Sequence, residues 1–435
     1  MKKYLAIDIG ASSGRHIIGY KENEGIKLEE IYRFPNSVKE EDGHLVWDID
    51  NIFYHVLEGI KITLKKYQEI ESMSIDTWGV DYVLLKDGAE VKPCYSYRDK
   101  RTKDVTRKVH EIIPFNELYK ITGSQFQEFN TIYQLYCDKE MGRLDKADTF
   151  LHIPEYLMYR LTGVMVHEYT NASTTGLLDG RANNYSKDII ERLGLKKELF
   201  NELQKPGYVL GGFTSEVKEK VGGSIKVVLC ATHDTASAVM GIPMEENAPY
   251  ISSGTWSLLG IKTDKVITSD LAKCANFSNE YGPSYIRFQK NIMGLWIIQR
   301  LSKELNLDFS SMVEMARKSI YTNTFDVNDE VFLSSLNMKE EIINWFKKNN
   351  ITLPKSDSDI INSSYHSLAL SYQEAISELE EITETKYNYL YIVGGGAKNK
   401  YLNELTEMYT KHKVIALPIE ATAIGNILCQ MGEMK

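Results

Sequence analysis

The chain has 435 residues, 43% of them hydrophobic and 26% charged, with a formal net charge of −9. That composition supplies a sizeable core, and the prior from length is about three domains, with two larger ones equally allowed. The acidic balance contains no basic block, which makes nucleic acid and anionic membrane poor partners.

In chain order, Tyr4 to Ile9, Arg15 to Tyr20 and Lys27 to Phe34 read as a strand meander, with a turn at Asn23-Glu24-Gly25. The first strand carries Asp8 to its end and meets a small-residue turn. Glycine and serine there let backbone N–H groups converge on an anion. Asp8 could hold a magnesium ion or its water shell, and Arg15 adds a forked cation. The same residues also suit an ordinary tight hairpin.

Ile49 to Tyr67 has apolar residues at helical spacing, and Asp48 or Asp50 can cap it. A strand from Met73 ends in Asp76-Thr77-Trp78-Gly79-Val80-Asp81, with Tyr82 to Leu85 beyond it. Meander, helix and strand make an α/β beginning. Helices follow over Asp104 to Ile112, Phe115 to Ile121, Thr131 to Lys139 and Pro154 to Leu161.

Val227 to Ala231 reads as a buried strand, followed by Thr232-His233-Asp234-Thr235 and a small-residue helix to Met240. Asp234 suits two roles. It is a natural N-cap, and it is also a carboxylate kept ionised by a helix N-terminus, able to accept a proton from an attacking hydroxyl. Pro243 to Pro249 is the candidate hinge.

Pro249 to Ile261 then repeats the strand, small polar turn, strand pattern, with Thr255 as the hydroxyl of its turn. Leu295 to Leu305, Ser310 to Ile320, Lys339 to Lys348 and Asp357 to Leu379 read as helices. Near the end come a strand, Gly394-Gly395-Gly396, a helix over Asn399 to Tyr409, the strand Val414 to Leu417 and a helix from Ala421. Walker-type and Gly-x-Gly-x-x-Gly patterns are absent.

The five cysteines are widely spaced without a Cys-x-x-Cys pair, and the nine histidines lack zinc-like spacing. Free thiols, a start without an apolar leader and no window of ~18 apolar residues lead to the expectation of a cytoplasmic protein.

Six segments carry a resemblance. They are Asp8 to Arg15, Ile75 to Asp81, Tyr97 to Asp99, Ala231 to Ala238, Ser252 to Ser257 and Lys290 to Trp296. In this order they resemble the FGGY carbohydrate kinases, a likeness covering nearly the whole chain. It implies an α/β fold of two actin/hexokinase-like (ribonuclease-H-like) domains, 1–242 and 243–435, with a central ATP/sugar cleft.

The implied reaction is ATP- and Mg2+-dependent phosphorylation of L-rhamnulose at its 1-hydroxyl. Another ketose (L-fuculose, L-ribulose or D-xylulose) or a non-catalytic sugar or nucleotide sensor is the alternative. Carried onto matching positions, Asp234 is the catalytic base and Asp8 lies close to the metal. Gly79, His233, Asp234, Thr235 and Asn291 resemble the sugar contacts. Ala11, Ser12, Ser13, Gly14, Arg15, Thr255, Gln299 and Gly395 resemble the ATP contacts. The partners implied are sugar and ATP, in a monomer or homodimer. Gln134 and Cys137 depart from a signature segment in which many family members carry Lys and Trp.

Overall fold

The computed structural model describes every residue except Glu24, residues 245–247, Ser334, Leu336, residues 418–419 and Lys435. The expected turn at Asn23 to Gly25 and the expected hinge at Pro243 to Pro249 therefore fall partly outside the described residues.

The chain forms two compact units. The first comprises Met1–Pro243, Thr263–Phe288 and Ala421–Lys435; the second comprises Met244–Lys262 and Gln289–Glu420. Against the division expected at residue 242, two later segments thus belong with the N-terminal part. Helix Ala421–Gln430 packs on helix Asp234–Met240 through glycines, which is why the last segment belongs to the first unit.

The first unit is built on a six-stranded mixed sheet. Strand Tyr4–Ile9 pairs antiparallel with Ser13–Glu22 and parallel with Ser72–Thr77. Gly25–Pro35 adds one edge, and Val227–Val228 with Val209–Gly211 the other. All six side chains of Tyr4–Ile9 and all six of Ser72–Thr77 are buried, as expected for strands covered on both faces. Helix Ile49–Lys66 covers the sheet with Ile52, Phe53, Val56 and Ile60, and Asp48 caps it by accepting from Asn51 N.

The second sheet repeats this opening. Tyr250–Ser253 pairs antiparallel with Trp256–Thr263 and parallel with Tyr389–Val393, and Lys413–Ala416 extends it in parallel. Helices Asp357–Thr383 and Lys400–Thr410 lie in the second unit, and Asn399 caps the latter. The twofold use of strand, tight turn, antiparallel strand and parallel third strand is the duplication expected from the two hairpins.

The expected strand Val227 to Ala231 is shorter, Val227–Val228. Beyond it single bonds replace a regular ladder: Leu229 N donates to Tyr208 O, Cys230 N to Ser74 Oγ, and Thr232 N and Oγ1 to one carboxylate oxygen of Glu168.

Candidate active site

In the first unit the sheet brings its chemistry to the carboxyl ends of two parallel strands, where open α/β sheets place ligands. Tyr4–Ile9 delivers Asp8, and Ser72–Thr77 delivers Asp76 and the Trp78 to Asp81 segment. Thr77 N donates to Thr232 O at 2.9 Å, and Thr77 bridges His233 in parallel. Gly79, His233, Asp234 and Thr235 are thereby brought to one edge.

The dual reading of Asp234 resolves on backbone geometry. His233 is the N-cap residue, with extended φ/ψ, and helix Asp234–Met240 begins at Asp234. Its side chain is therefore not spent on capping. Oδ1 accepts from Thr235 Oγ1 at 3.1 Å and lies 3.5 Å from His233 Nε2. Oδ2 has no hydrogen-bond partner among the described residues, and the side chain is 30% exposed. One oxygen is held while the other is open, the arrangement a general base requires.

Asp76 was legible only as part of a motif, without a role. Its side chain is fully buried; burial first, then the charge of Asp8, pushes its carboxyl well above the usual range. Asn426 Nδ2 donates to Oδ2 at 2.6 Å and opposes that shift, while Asp234 adds to it. Oδ1 is buried with no hydrogen-bond partner among the described residues. A buried carboxyl that feels the charges of both Asp8 and Asp234, with one oxygen orphaned, fits a site completed by a hydrated cation. The described residues contain no group of three or more His, Cys, Asp or Glu placed to hold a metal by themselves. A divalent ion here would need phosphate oxygens and water as its other ligands, which is how magnesium is commonly held.

The first hairpin turn is drawn tight by Gly10 N donating to Ser13 O, and is fixed from outside by Asn36. Ser12 is exposed and Ala11 and Ser13 are half-buried, so the small residues stand at the surface. Gly14 is buried; a Cβ there would lie 2.1 Å from the Phe34 ring. Arg15 faces Asp8 across the hairpin, Nη2 to Oδ2 at 2.5 Å. The expected metal ligand and the expected phosphate cation thus hold each other.

Gly79 opens a three-residue turn in which Asp81 N donates to Gly79 O at 2.9 Å and Val80 sits at φ +68°. A β-branched residue at positive φ is strained and persists only where its surroundings over-determine it. They do so here. Thr174 Oγ1 accepts from Val80 N at 3.2 Å, and Thr131 Oγ1 donates to Val80 O at 2.7 Å. Asp81 accepts from Trp47 Nε1, Trp78 Nε1, Tyr97 N and Gln134 Nε2 at 2.7–3.1 Å. Burial pushes the Asp81 carboxyl up, and these donors hold it back. Trp47 and Trp78 are consequently core rings with centroids 4.3 Å apart. Gln134, a departure from the family signature, supplies one of the four donors.

The second unit gathers the remaining expected nucleotide contacts by backbone proximity. Trp296 N donates to Thr255 O at 3.2 Å, and Gln299 is one turn further along helix Trp296–Leu305. Of the glycine run, Gly394 takes φ +81°, and a Cβ on Gly396 would stand 2.0 Å from Ser253 Oγ. Gly395 alone is exposed, with nothing nearer than 4.0 Å to a Cβ. Asn291, the fifth expected sugar contact, lies in this unit, on strand Ile286–Met293.

Sequence reasoning missed Thr174, Glu280 and Arg287. Arg287 is fully buried and Glu280 nearly so, and both touch His233. Glu280 and Arg287 stand in strands that mix polar with apolar residues, Ser278–Tyr281 and Ile286–Met293, so neither charge stands out in the sequence.

Comparison with known proteins finds relatives along nearly the whole chain. The profile of the FGGY family of carbohydrate kinases, N-terminal domain, matches residues 3–241, and that of its C-terminal domain matches 249–434. A protein named rhamnulokinase from Oceanobacillus iheyensis is 44% identical over 433 residues, 98% of this chain and 92% of that protein. One of the same name from Bacillus subtilis is 41% identical over 98% of this chain and 90% of that protein. Among solved structures, a xylulose kinase from Lactobacillus acidophilus matches with TM-score 0.82 at 16% identity, covering 100% of this chain and 89% of that one. Plasmodium falciparum glycerol kinase with ADP matches with TM-score 0.80 at 16% identity, over 100% and 90% respectively. At that identity these two likenesses speak for the fold. Among the described residues no helix is long and apolar enough to cross a membrane.

Proposed function

The chain belongs to the FGGY family of carbohydrate kinases, and from that premise we propose that it transfers the γ-phosphoryl group of ATP to the 1-hydroxyl of L-rhamnulose. The substrate rests on relatives named rhamnulokinase that are 38–44% identical over nearly the whole chain. The observation that carries the reaction class is the Asp234 carboxylate, with Oδ1 engaged by Thr235 and near His233 while Oδ2 is open.

Asp234 orients the sugar hydroxyl and takes its proton as the oxygen attacks phosphorus. Gly79, His233, Thr235 and Asn291 position the sugar. The small residues Ala11 to Gly14 offer backbone N–H groups to phosphate oxygens, as does the Thr255 turn. Arg15 exchanges its contact with Asp8 for phosphate when the nucleotide arrives. Gln299 and Gly395 contact the nucleotide. Asp8 would hold magnesium or its water shell, and the ion, when bound, would supply neutralisation of the phosphate charge.

The test is a coupled ADP-release assay with magnesium-ATP against L-rhamnulose, L-fuculose, D-xylulose, L-ribulose and glycerol. Strongest release with L-rhamnulose is expected. Strongest release with another sugar overturns the substrate and keeps the kinase, whereas no sugar-dependent release favours a sensor.

A further inference from the structure

We propose that Arg287, balanced by Glu280, is a positioning residue for this reaction: it fixes His233 as the Nε2–H tautomer, which steadies the Asp234 carboxylate and leaves Oδ2 for the sugar hydroxyl. The proposal rests on the reading of Asp234 as the base.

Arg287 Nη2 lies 3.2 Å from His233 Nδ1 and 3.2 Å from Glu280 Oε2. Its Nε and Nη2 also donate to Tyr281 O at 3.4 and 3.3 Å, which fixes the guanidinium plane. A guanidinium has donors only. Its contact with Nδ1 is a hydrogen bond only if Nδ1 carries a lone pair, and in neutral imidazole the proton then sits on Nε2. Nε2 is the atom 3.5 Å from Asp234 Oδ1. The other neutral tautomer would set a lone pair against that carboxylate.

Glu280 Oε2 is itself 3.4 Å from Nδ1, so it could draw a proton there. Arg287 is the group that prevents it, by occupying both Nδ1 and Glu280. A buried ion pair is weak evidence for stability, because apolar residues of similar volume often serve as well. A pair wedged against the ring nitrogen opposite the base does have a use there, since second partners of a histidine select its tautomer.

The first measurement needs no substrate. Long-range 15N–1H spectra of histidine-labelled full-length protein report which ring nitrogen is protonated, and the His233 signals are those lost in His233→Gln. The expected result is protonated Nε2 with bare Nδ1. In Arg287→Met, His233 shifts to an Nδ1-protonated form facing Glu280, and kcat for the sugar falls about 10- to 100-fold with the KM for magnesium-ATP unchanged. Adding Glu280→Gln to Arg287→Met supplies a neutral amide donor to Nδ1 and recovers both the tautomer and most of kcat.

A bare Nε2 in the wild-type protein overturns the proposal, and so does a folded Arg287→Met with unaltered tautomer or kcat, or a double variant no better than the single one. If Arg287→Met does not fold, the wild-type tautomer decides. Absence of sugar-dependent ADP release would fail the reading of the reaction while leaving the tautomer result to stand or fall separately.

Discussion

A Cβ on Gly425 would stand 1.8 Å from the carbonyl oxygen of Ser237, so helix Ala421–Gln430 lies backbone to backbone against the helix that begins with Asp234. The contact is reciprocal, since a Cβ on Gly241 would meet Ala421 O at 2.1 Å. The same C-terminal helix sends Asn426 to Asp76. Gly425→Ala must therefore push apart two helices that anchor the site. Alanine gains about 1 kcal/mol in intrinsic helix propensity, but overpacking costs about 1–3 kcal/mol, with more where backbone must move. Thermal melts should show a lower Tm, with reduced kcat. A Tm at or above that of the parent would contradict this packing.

Asp234→Asn keeps the shape of the side chain and removes its basicity. Turnover should fall by about 10² to 10⁴, or roughly 3–5 kcal/mol of barrier, with the KM for ATP nearly unchanged. Steady-state kinetics with both substrates varied decides it, and undiminished turnover removes Asp234 from the role of base.

The turn at Gly79 is a prediction about binding rather than chemistry. Thr174→Val is nearly isosteric but takes away the acceptor for Val80 N. One such hydrogen bond is worth about 0.5–1.5 kcal/mol, so the KM for the sugar should rise roughly 3- to 10-fold while kcat and the KM for ATP hold. Thr174→Ser, which restores the oxygen, should restore the KM. Equal sugar KM values for Val and Ser at this position would show that the turn does not present Gly79 to the substrate.

How much of this was legible depended on whether the cause was local. Tyr4–Ile9 and Ile49–Lys66 followed from their own apolar spacing, and the cap was narrowed to Asp48 or Asp50, of which the backbone selects Asp48. Asp234 was visible as a carboxylate at a helix start, yet whether it capped or stayed open depended on the backbone of His233. Glu168 holds Thr232 from more than 60 residues away in the chain, and no periodicity carries that. Arg287 and Glu280 were hidden for the same reason. The return of Thr263–Phe288 and Ala421–Lys435 to the first unit is likewise a matter of packing, carried in part by glycines that look unremarkable in a string.

On the nucleotide side, Gly396 and Gly395 should behave oppositely. Gly396→Ala places a methyl group against Ser253 Oγ, 2.0 Å from its ideal position, and must shift the turn Gly395–Lys398. Its KM for ATP should rise several-fold and its Tm fall, by the overpacking cost of about 1–3 kcal/mol. Gly395→Ala meets nothing within the protein closer than 4.0 Å, so its Tm should hold and any change should appear in the KM for ATP alone. A Gly395→Ala enzyme with unaltered ATP kinetics would remove that residue from the nucleotide contacts.

His16 supplies a pH prediction with a definite sign. Its ring is fully buried, with Nε2 donating to Val56 O and Gly59 pressed over it, and burial lowers its pKa from 6.5 to about 4. Between those values the unfolded chain binds a proton that the folded one refuses. Stability from this group is therefore present above about pH 6.5 and is lost as pH falls to about 4. At 1.36 kcal/mol per pKa unit, the loss approaches about 3 kcal/mol. His152 and His167, pushed down to about 3 and about 4 by burial, act in the same direction. Glu155 and Glu168, raised by burial, act in the opposite one, so the parent curve alone does not isolate His16. His16→Gln keeps a donor for Val56 O and cannot take up the proton. Urea unfolding of both proteins at pH 7.5 and pH 5 should show the parent losing its advantage over the variant as pH falls. A difference that stays constant across that range would mean His16 is not held neutral.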